Sequence, residues 1–149
     1  MTVFDLQELD LAYAPPYGSG KDAVNMAGFA ASNILDGTVK VVHWNELDND
    51  DFILDVRTKK EFEQYNVSGA INIPLNELRN SLELLPKDNV INVYCAVGIR
   101  SYIAVRILMQ NGFEAKNISG GFITYCSYEN KELLDTQNAR RLREEFCLI

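Results

Sequence analysis

The sequence predicts an α/β fold with a five-stranded, mainly parallel sheet and helices on both faces. Three observations carry this. Short β-rich runs recur along the chain, helical stretches with one apolar face separate several of them, and turn or cap residues stand between. In such folds ligands gather at the carboxyl ends of the strands.

The five runs cover residues 39–42, 52–55, 70–73, 90–94 and 115–118, short β-rich runs of the length strands have. Thr58 followed by Glu61 is a capping-box pattern that starts a helix toward Tyr65. Leu78, Leu82 and Leu85 recur at the spacing of one helix face, which predicts the next helix. Ile103, Ile107 and Leu108 give a further helix its apolar stripe, and Gly112 stops it. Upstream, residues 11–22 read as a loop, and Asp22 is a fair N-cap for an Ala-rich helix ending near Gly37. Downstream, Leu133, Leu134, Ala139, Leu142 and Phe146 stand among charges, which predicts a helical tail. The chain therefore divides into an N-terminal segment (1–38), an α/β domain (39–129) and a tail (130–149).

With 149 residues, 47% of them hydrophobic, the chain is long enough to bury an ordinary core without staples. Its net charge of −7 argues against nucleic acid as a partner, because phosphate backbones demand a basic face. No apolar run approaches the ~20 residues of a membrane span, and the N-terminus lacks a signal-peptide pattern, so a cytoplasmic protein with no membrane partner is expected. Cys95, Cys126 and Cys147 form no CxxC and no Cys/His cluster, so neither structural disulfides nor a metal site is expected.

The chemistry concentrates at Val93-Tyr94-Cys95-Ala96-Val97-Gly98-Ile99-Arg100-Ser101, where an apolar strand runs into a cysteine, a short loop and a helix. Backbone N–H groups and the positive end of a helix dipole favour thiolate at such a place, and the thiolate is the nucleophile. A lone cysteine is otherwise a small buried hydrophobe. Gly98 and Arg100 favour the functional reading. Four residues separate Cys95 from Arg100, one fewer than in the loops of cysteine phosphatases, so the amide cradle is tighter than a tetrahedral phosphate needs.

This loop resembles that of the rhodanese family, in which the cysteine carries a sulfane sulfur as a persulfide. Further residues carry the resemblance in the family's order: Asp55-Val56-Arg57, Glu61-Phe62, Gly69-Ala70-Ile71-Asn72-Ile73-Pro74 and Ser119-Gly120-Gly121-Phe122. It implies a rhodanese-like fold and a sulfurtransferase. Cys95 would be the nucleophile, Arg100 would hold an anionic donor, and Ala96, Val97, Gly98, Ile99 and Ser101 would line the persulfide, with Asp55 and Arg57 in support. Two departures stand out. Ala96 occupies a position that is basic in many catalytic members, and Asn66 replaces a frequent histidine. Thiosulfate is thereby disfavoured as donor. The aliphatic Ala96, Val97 and Ile99 suit the organic part of a CoA or glutathione persulfide, with a thiol as acceptor.

The N-terminal segment resembles the end of the dimerisation domain in FAD-dependent reductases of the CoA-disulfide reductase and NADH oxidase group, through Ala12-Tyr13-Ala14-Pro15-Pro16 and Val24-Asn25-Met26-Ala27-Gly28. Some of those enzymes carry a rhodanese domain after it. The resemblance implies a homodimer through this segment, and it puts Tyr13 and Tyr17 near a CoA-disulfide site, with packing aromatics as the alternative. Gly18-Ser19-Gly20-Lys21 is not a phosphate loop, since Pro15 and Asp22 stand where Gly and Ser or Thr are needed. With no GxGxxG after a strand, this chain is expected to hold no cofactor. FAD and NAD(P)H would belong to a complete reductase fusion.

His43, the only histidine, sits beside Trp44 at a strand end, where a structural role is expected. Arg57 and Glu61 are spaced as an ion pair bracing the Asp55 turn, or as a solvated surface pair. Cys126 and Cys147 read as bystanders. Against the persulfide carrier stands a noncatalytic interaction module with an inert Cys95, or the accessory domain of a persulfide reductase.

Overall fold

The computed structural model describes residues 1–10 and 22–129. Tyr13, Tyr17, the Pro15-Pro16 stretch, the predicted tail helix and Cys147 lie outside the described residues. The chain divides into two compact units, Met1–Lys40 and Val41–Ile149.

The first unit pairs α1 (Val3–Gln7) with α2 (Ala23–Leu35). A Cβ on Gly28 would stand 2.9 Å from both the Gln7 backbone nitrogen and Leu6 Cβ, so only glycine lets the two helices approach this closely. Asn25 Nδ2 lies 3.1 Å from the carbonyl oxygens of Leu6, Gln7 and Leu9 and so satisfies the end of α1. Asp22 stands at the N-cap, but its side chain makes no capping bond. Gly37, at φ 68°, follows the end of α2, as expected. Val24, Met26, Phe29, Ile34 and Leu35 of α2 are exposed.

In the second unit β1 (Val41–Val42), β2 (Phe52–Asp55), β3 (Ile71–Asn72), β4 (Ile91–Tyr94) and β5 (Ala115–Ile118) form one sheet in the order β1-β5-β4-β2-β3. Every pairing is parallel, so the sheet is wholly rather than mainly parallel. β4 is central. Its Val93 and Tyr94 point to opposite faces and both are fully buried, so both faces are covered. α5 (Ile99–Gln110) packs on β4 and β5 through Ala104, Val105 and Leu108, with α4 (Leu75–Leu78) beside it. Another cluster joins Val42, Val67, Tyr94 and Ile118 to Phe122 of α6 (Gly121–Glu129), with Trp44 and Tyr125 packed against it.

α3 (Lys59–Gln64) begins in the expected capping box. The leucine-spaced stretch is not one helix. α4 ends after a single turn, and Leu82–Leu84 form a separate 3-10 turn. Pro86 forces Leu85 into extended backbone at ψ 141°, which closes off any longer helix. Of the α5 stripe, Ile107 and Leu108 are buried while Ile103 is exposed. His43 stands at the N-cap of the 3-10 turn Trp44–Glu46, where its backbone N–H donates to Glu46 Oε2 at 2.7 Å and its exposed side chain makes no capping bond.

Candidate active site

Strand register brings the site together. Asp55 pairs with Tyr94, so the carboxyl ends of β2 and β4 lie side by side, one residue before Cys95. The Asp55 carboxylate then folds onto Arg57, accepting from its backbone N–H at 2.8 Å, from Nε at 2.9 and 3.1 Å, and from Nη2 at 2.6 Å. Both side chains are 0% exposed. Arg57 Nη2 also donates to the Tyr65 carbonyl at 2.8 Å, which ties down the end of α3. Its Cζ lies 4.0 Å from the centre of the Phe122 ring and 5.3 Å from that of Tyr94, a cation over two aromatic faces. Asn72 Nδ2 straps the turn from outside, at 3.0 Å from the carbonyls of both Asp55 and Arg57. Burial works to lower the Arg57 pKa, but the Asp55 carboxylate outweighs it and the guanidinium is held above its ordinary range. Burial and the same carboxylate push the Tyr94 phenol up.

Cys95 follows β4 and is fully buried. The Gly98 N–H donates to its Sγ at 3.1 Å. Gly98 has φ 120°, a conformation natural to glycine alone, and it is also the N-cap of α5. Its carbonyl is held from behind by the Tyr102 N–H at 2.9 Å, Ser101 Oγ at 3.0 Å and Asn117 Nδ2 at 3.4 Å. Ser101 Oγ is also 3.5 Å from Sγ, so its single proton serves the carbonyl or the sulfur. The far side of the loop rests on α6: Phe122 and Ile123 donate to the carbonyls of Cys95 and Ala96 at 2.8 and 3.1 Å. A Cβ on Gly121 would fall 2.4 Å from the Cys95 carbonyl oxygen, so this contact requires glycine.

Arg100 does not reach outward alone. Its Nη1 and Nη2 donate to Glu61 Oε2 and Oε1 at 2.9 and 2.7 Å, a two-pronged pair. Glu61 also accepts from the Thr58 N–H at 2.8 Å and Oγ at 2.6 Å. The pair raises the Arg100 pKa against its partial burial, and Cys95 adds to the rise. Burial pushes the Glu61 carboxyl up, but Arg100 and Thr58 override it and hold it at about 2.

The expected partnership of Arg57 with Glu61 is thus incorrect: Arg57 pairs with Asp55, and Glu61 with Arg100. Arg57 precedes the N-cap, so it never lies on the helix face where an i, i+4 pair meets. Ala96 is 4% exposed, whereas Val97 (42%) and Ile99 (70%) are open to solvent. Sequence reasoning missed the contact of Asn117 with the loop and the pairing of Glu61 with Arg100. A capping-box glutamate folds back past its helix start, which was the available signal. Asn66 donates to the Phe62 carbonyl at 3.0 Å and only finishes a turn. Cys126 is half-buried, its thiol pushed up by burial. Among the described residues no group of His, Cys, Asp and Glu is arranged for a metal, and no helix is long and apolar enough to cross a membrane.

Two outcomes follow from these pairs. Asp55→Asn keeps the shape but strands a buried guanidinium, and should cost about 3–5 kcal/mol in urea unfolding. A loss below about 1 kcal/mol would show that the pair is not what holds the strand ends. Glu61, whose pKa falls on folding from 4.5 to about 2, stabilises the fold fully above the higher value and loses that contribution as pH drops through the lower. Urea midpoints of the parent should therefore fall more steeply between about pH 5 and pH 2 than those of Glu61→Gln. Parallel curves would contradict the pairing.

The family model described as "Rhodanese-like domain" matches residues 41–128. Reduced CoADR-RHD from Bacillus anthracis is 50% identical with a TM-score of 0.80, over 85% of this chain and 24% of that one. A NAD-dependent persulfide reductase from A. fulgidus is 43% identical with a TM-score of 0.70, over 81% of this chain and 22% of that one. The chain thus spans about a quarter of these two proteins. A sulfurtransferase of Allochromatium vinosum is 34% identical over 83 residues, which cover 54% of this chain and 78% of that protein. Match and geometry agree on the segment that holds Cys95, and the chain belongs to the rhodanese-like domain family.

Proposed function

We propose that the chain is a cytoplasmic sulfurtransferase that carries sulfane sulfur on Cys95, taking it from persulfides of CoA or glutathione type and passing it to a thiol. The Gly98 N–H, 3.1 Å from Sγ in a residue whose own carbonyl is held by three donors, carries this reading. A rigid N–H aimed at the sulfur stabilises negative charge there and needs no reorganisation during transfer. The Cys95 thiolate attacks the outer sulfur of R–S–SH. The donor's S–S bond breaks, its electron pair leaves with the organic thiolate, and that thiolate takes up a proton. An acceptor thiolate then attacks the outer sulfur of the Cys95 persulfide, which returns Cys95 as thiolate. The two steps need no external oxidant or reductant. Val97 and Ile99 offer exposed apolar surface to the organic part of the donor.

The complete burial of Cys95 favours the other reading, an interaction module with an inert thiol. Intact-mass spectrometry after treatment with glutathione persulfide, CoA persulfide or thiosulfate decides. The parent should gain one cyanide-labile sulfur, most readily from the organic persulfides, and Cys95→Ser should gain none. A sulfur retained on Cys95→Ser would sink the mechanism, and a parent inert to every donor would leave the interaction module.

We also propose that the first unit joins two copies of the chain, since Phe4 and five apolar residues of α2 stand exposed. Sedimentation velocity should show concentration-dependent dimers that are lost in Phe29→Glu/Ile34→Glu. Monomers at every concentration would refute this.

A further inference from the structure

We infer that Glu61 selects the sulfur donor: by pairing its carboxylate with both terminal nitrogens of Arg100, it offsets the charge of the loop's cation, weakens its pull on anionic donors and favours donors recognised through their sulfur and organic part. The inference rests on the persulfide-carrier reading above. Arg100 is the only basic residue between Cys95 and the end of the first turn of α5. Its Nη1 and Nη2 both end on Glu61, and the two side chains are 26% and 15% exposed, so solvent screens the pair only partly. Thr58 fixes Glu61 in turn, through its N–H and hydroxyl. The carboxylate is therefore part of the rim, held from the N-terminus of another helix.

The charges decide what such a rim accepts. Thiosulfate arrives as a dianion and, after its outer sulfur is taken, leaves as sulfite, so both steps need a cation free to meet oxygen. An organic persulfide gives up its outer sulfur with a thiolate as leaving group, so the charge stays on the donor's inner sulfur and no oxyanion needs a cation. A neutralised Arg100 favours the second class. Arg57, the other guanidinium nearby, is likewise bound to its own carboxylate and fully buried.

Glu61→Gln isolates the charge, because glutamine still completes a capping box at this position. Glu61→Ala is a second neutral variant and Glu61→Asp keeps the charge, with thermal unfolding as the control for the fold. Two ratios are read. The first is alkylation of Cys95 by anionic iodoacetate against neutral iodoacetamide, followed on the Cys95 peptide, which reports charge at the thiol without sulfur transfer. The second is kcat/KM for thiosulfate against glutathione persulfide. Both should rise about three- to tenfold in the neutral variants, the scale of one partly screened charge, and stay near the parent value in Glu61→Asp. An unchanged alkylation ratio overturns the inference. So does a raised alkylation ratio with an unchanged donor ratio, and so does an equal rise in Glu61→Asp, which would mark a packing effect. If the alkylation ratio shifts but the parent takes sulfur from no donor, the carrier reading is what has failed, and donor selection fails with it.

Discussion

Everything around Cys95 is built on one buried interaction, the Asp55–Arg57 pair. Two fully buried charges carry a desolvation cost of several kcal/mol each, which only close geometry and further hydrogen bonds offset. Here the carboxylate receives three nitrogens of Arg57, the guanidinium adds the Tyr65 carbonyl, and its face lies on Phe122. Those partners come from β2, the end of α3 and the start of α6. The pair therefore joins elements that share no continuous backbone ladder, and it does so beside Tyr94, the residue before Cys95. A hydrophobic substitute of equal volume would fill the space, but it would not fix where α3 and α6 end and begin.

The sheet was legible because parallel strands buried on both faces read as apolar runs. The limits of β2 and β5 coincide with the runs at 52–55 and 115–118, and the other three strands are trimmed by one or two residues. The strand-loop-helix setting of Cys95 was legible for the same reason, since the loop is local in sequence. What sequence could not show were the ion pairs. Asp55 and Arg57 are two residues apart, but Arg57 lies past the end of β2, and they meet because the chain turns at the carboxyl end of that strand. Glu61 and Arg100 are 39 residues apart and meet through the register of β2 against β4. The leucines after Pro74 failed for a different reason. Their spacing is helical, but the chain leaves the helix after Leu78, with Ser81 at φ −120°, and Pro86 then makes Leu85 extended, so the leucines fall in two short turns.

Both guanidiniums near the thiol are paired with carboxylates, so their charge is largely offset and what touches the sulfur most closely is dipolar: the Gly98 N–H and, at 3.5 Å, the Ser101 hydroxyl. The distinction matters because the two fields reach differently. A free cation attracts any anion from several ångströms, whereas amide dipoles act strongly only on an atom in contact and fade within a turn. A cradle of dipoles thus recognises charge where it sits on the transferred sulfur, and is nearly indifferent to charge elsewhere on the donor. Its precision depends on rigidity instead. Gly98 is held by Tyr102, Ser101 and Asn117 behind, and the Cys95 carbonyl by α6, where Gly121 leaves no space for a side chain. The glycines that permit these approaches and the buried pair that anchors α6 belong to one arrangement, in which the fold keeps a single N–H aimed at a single sulfur.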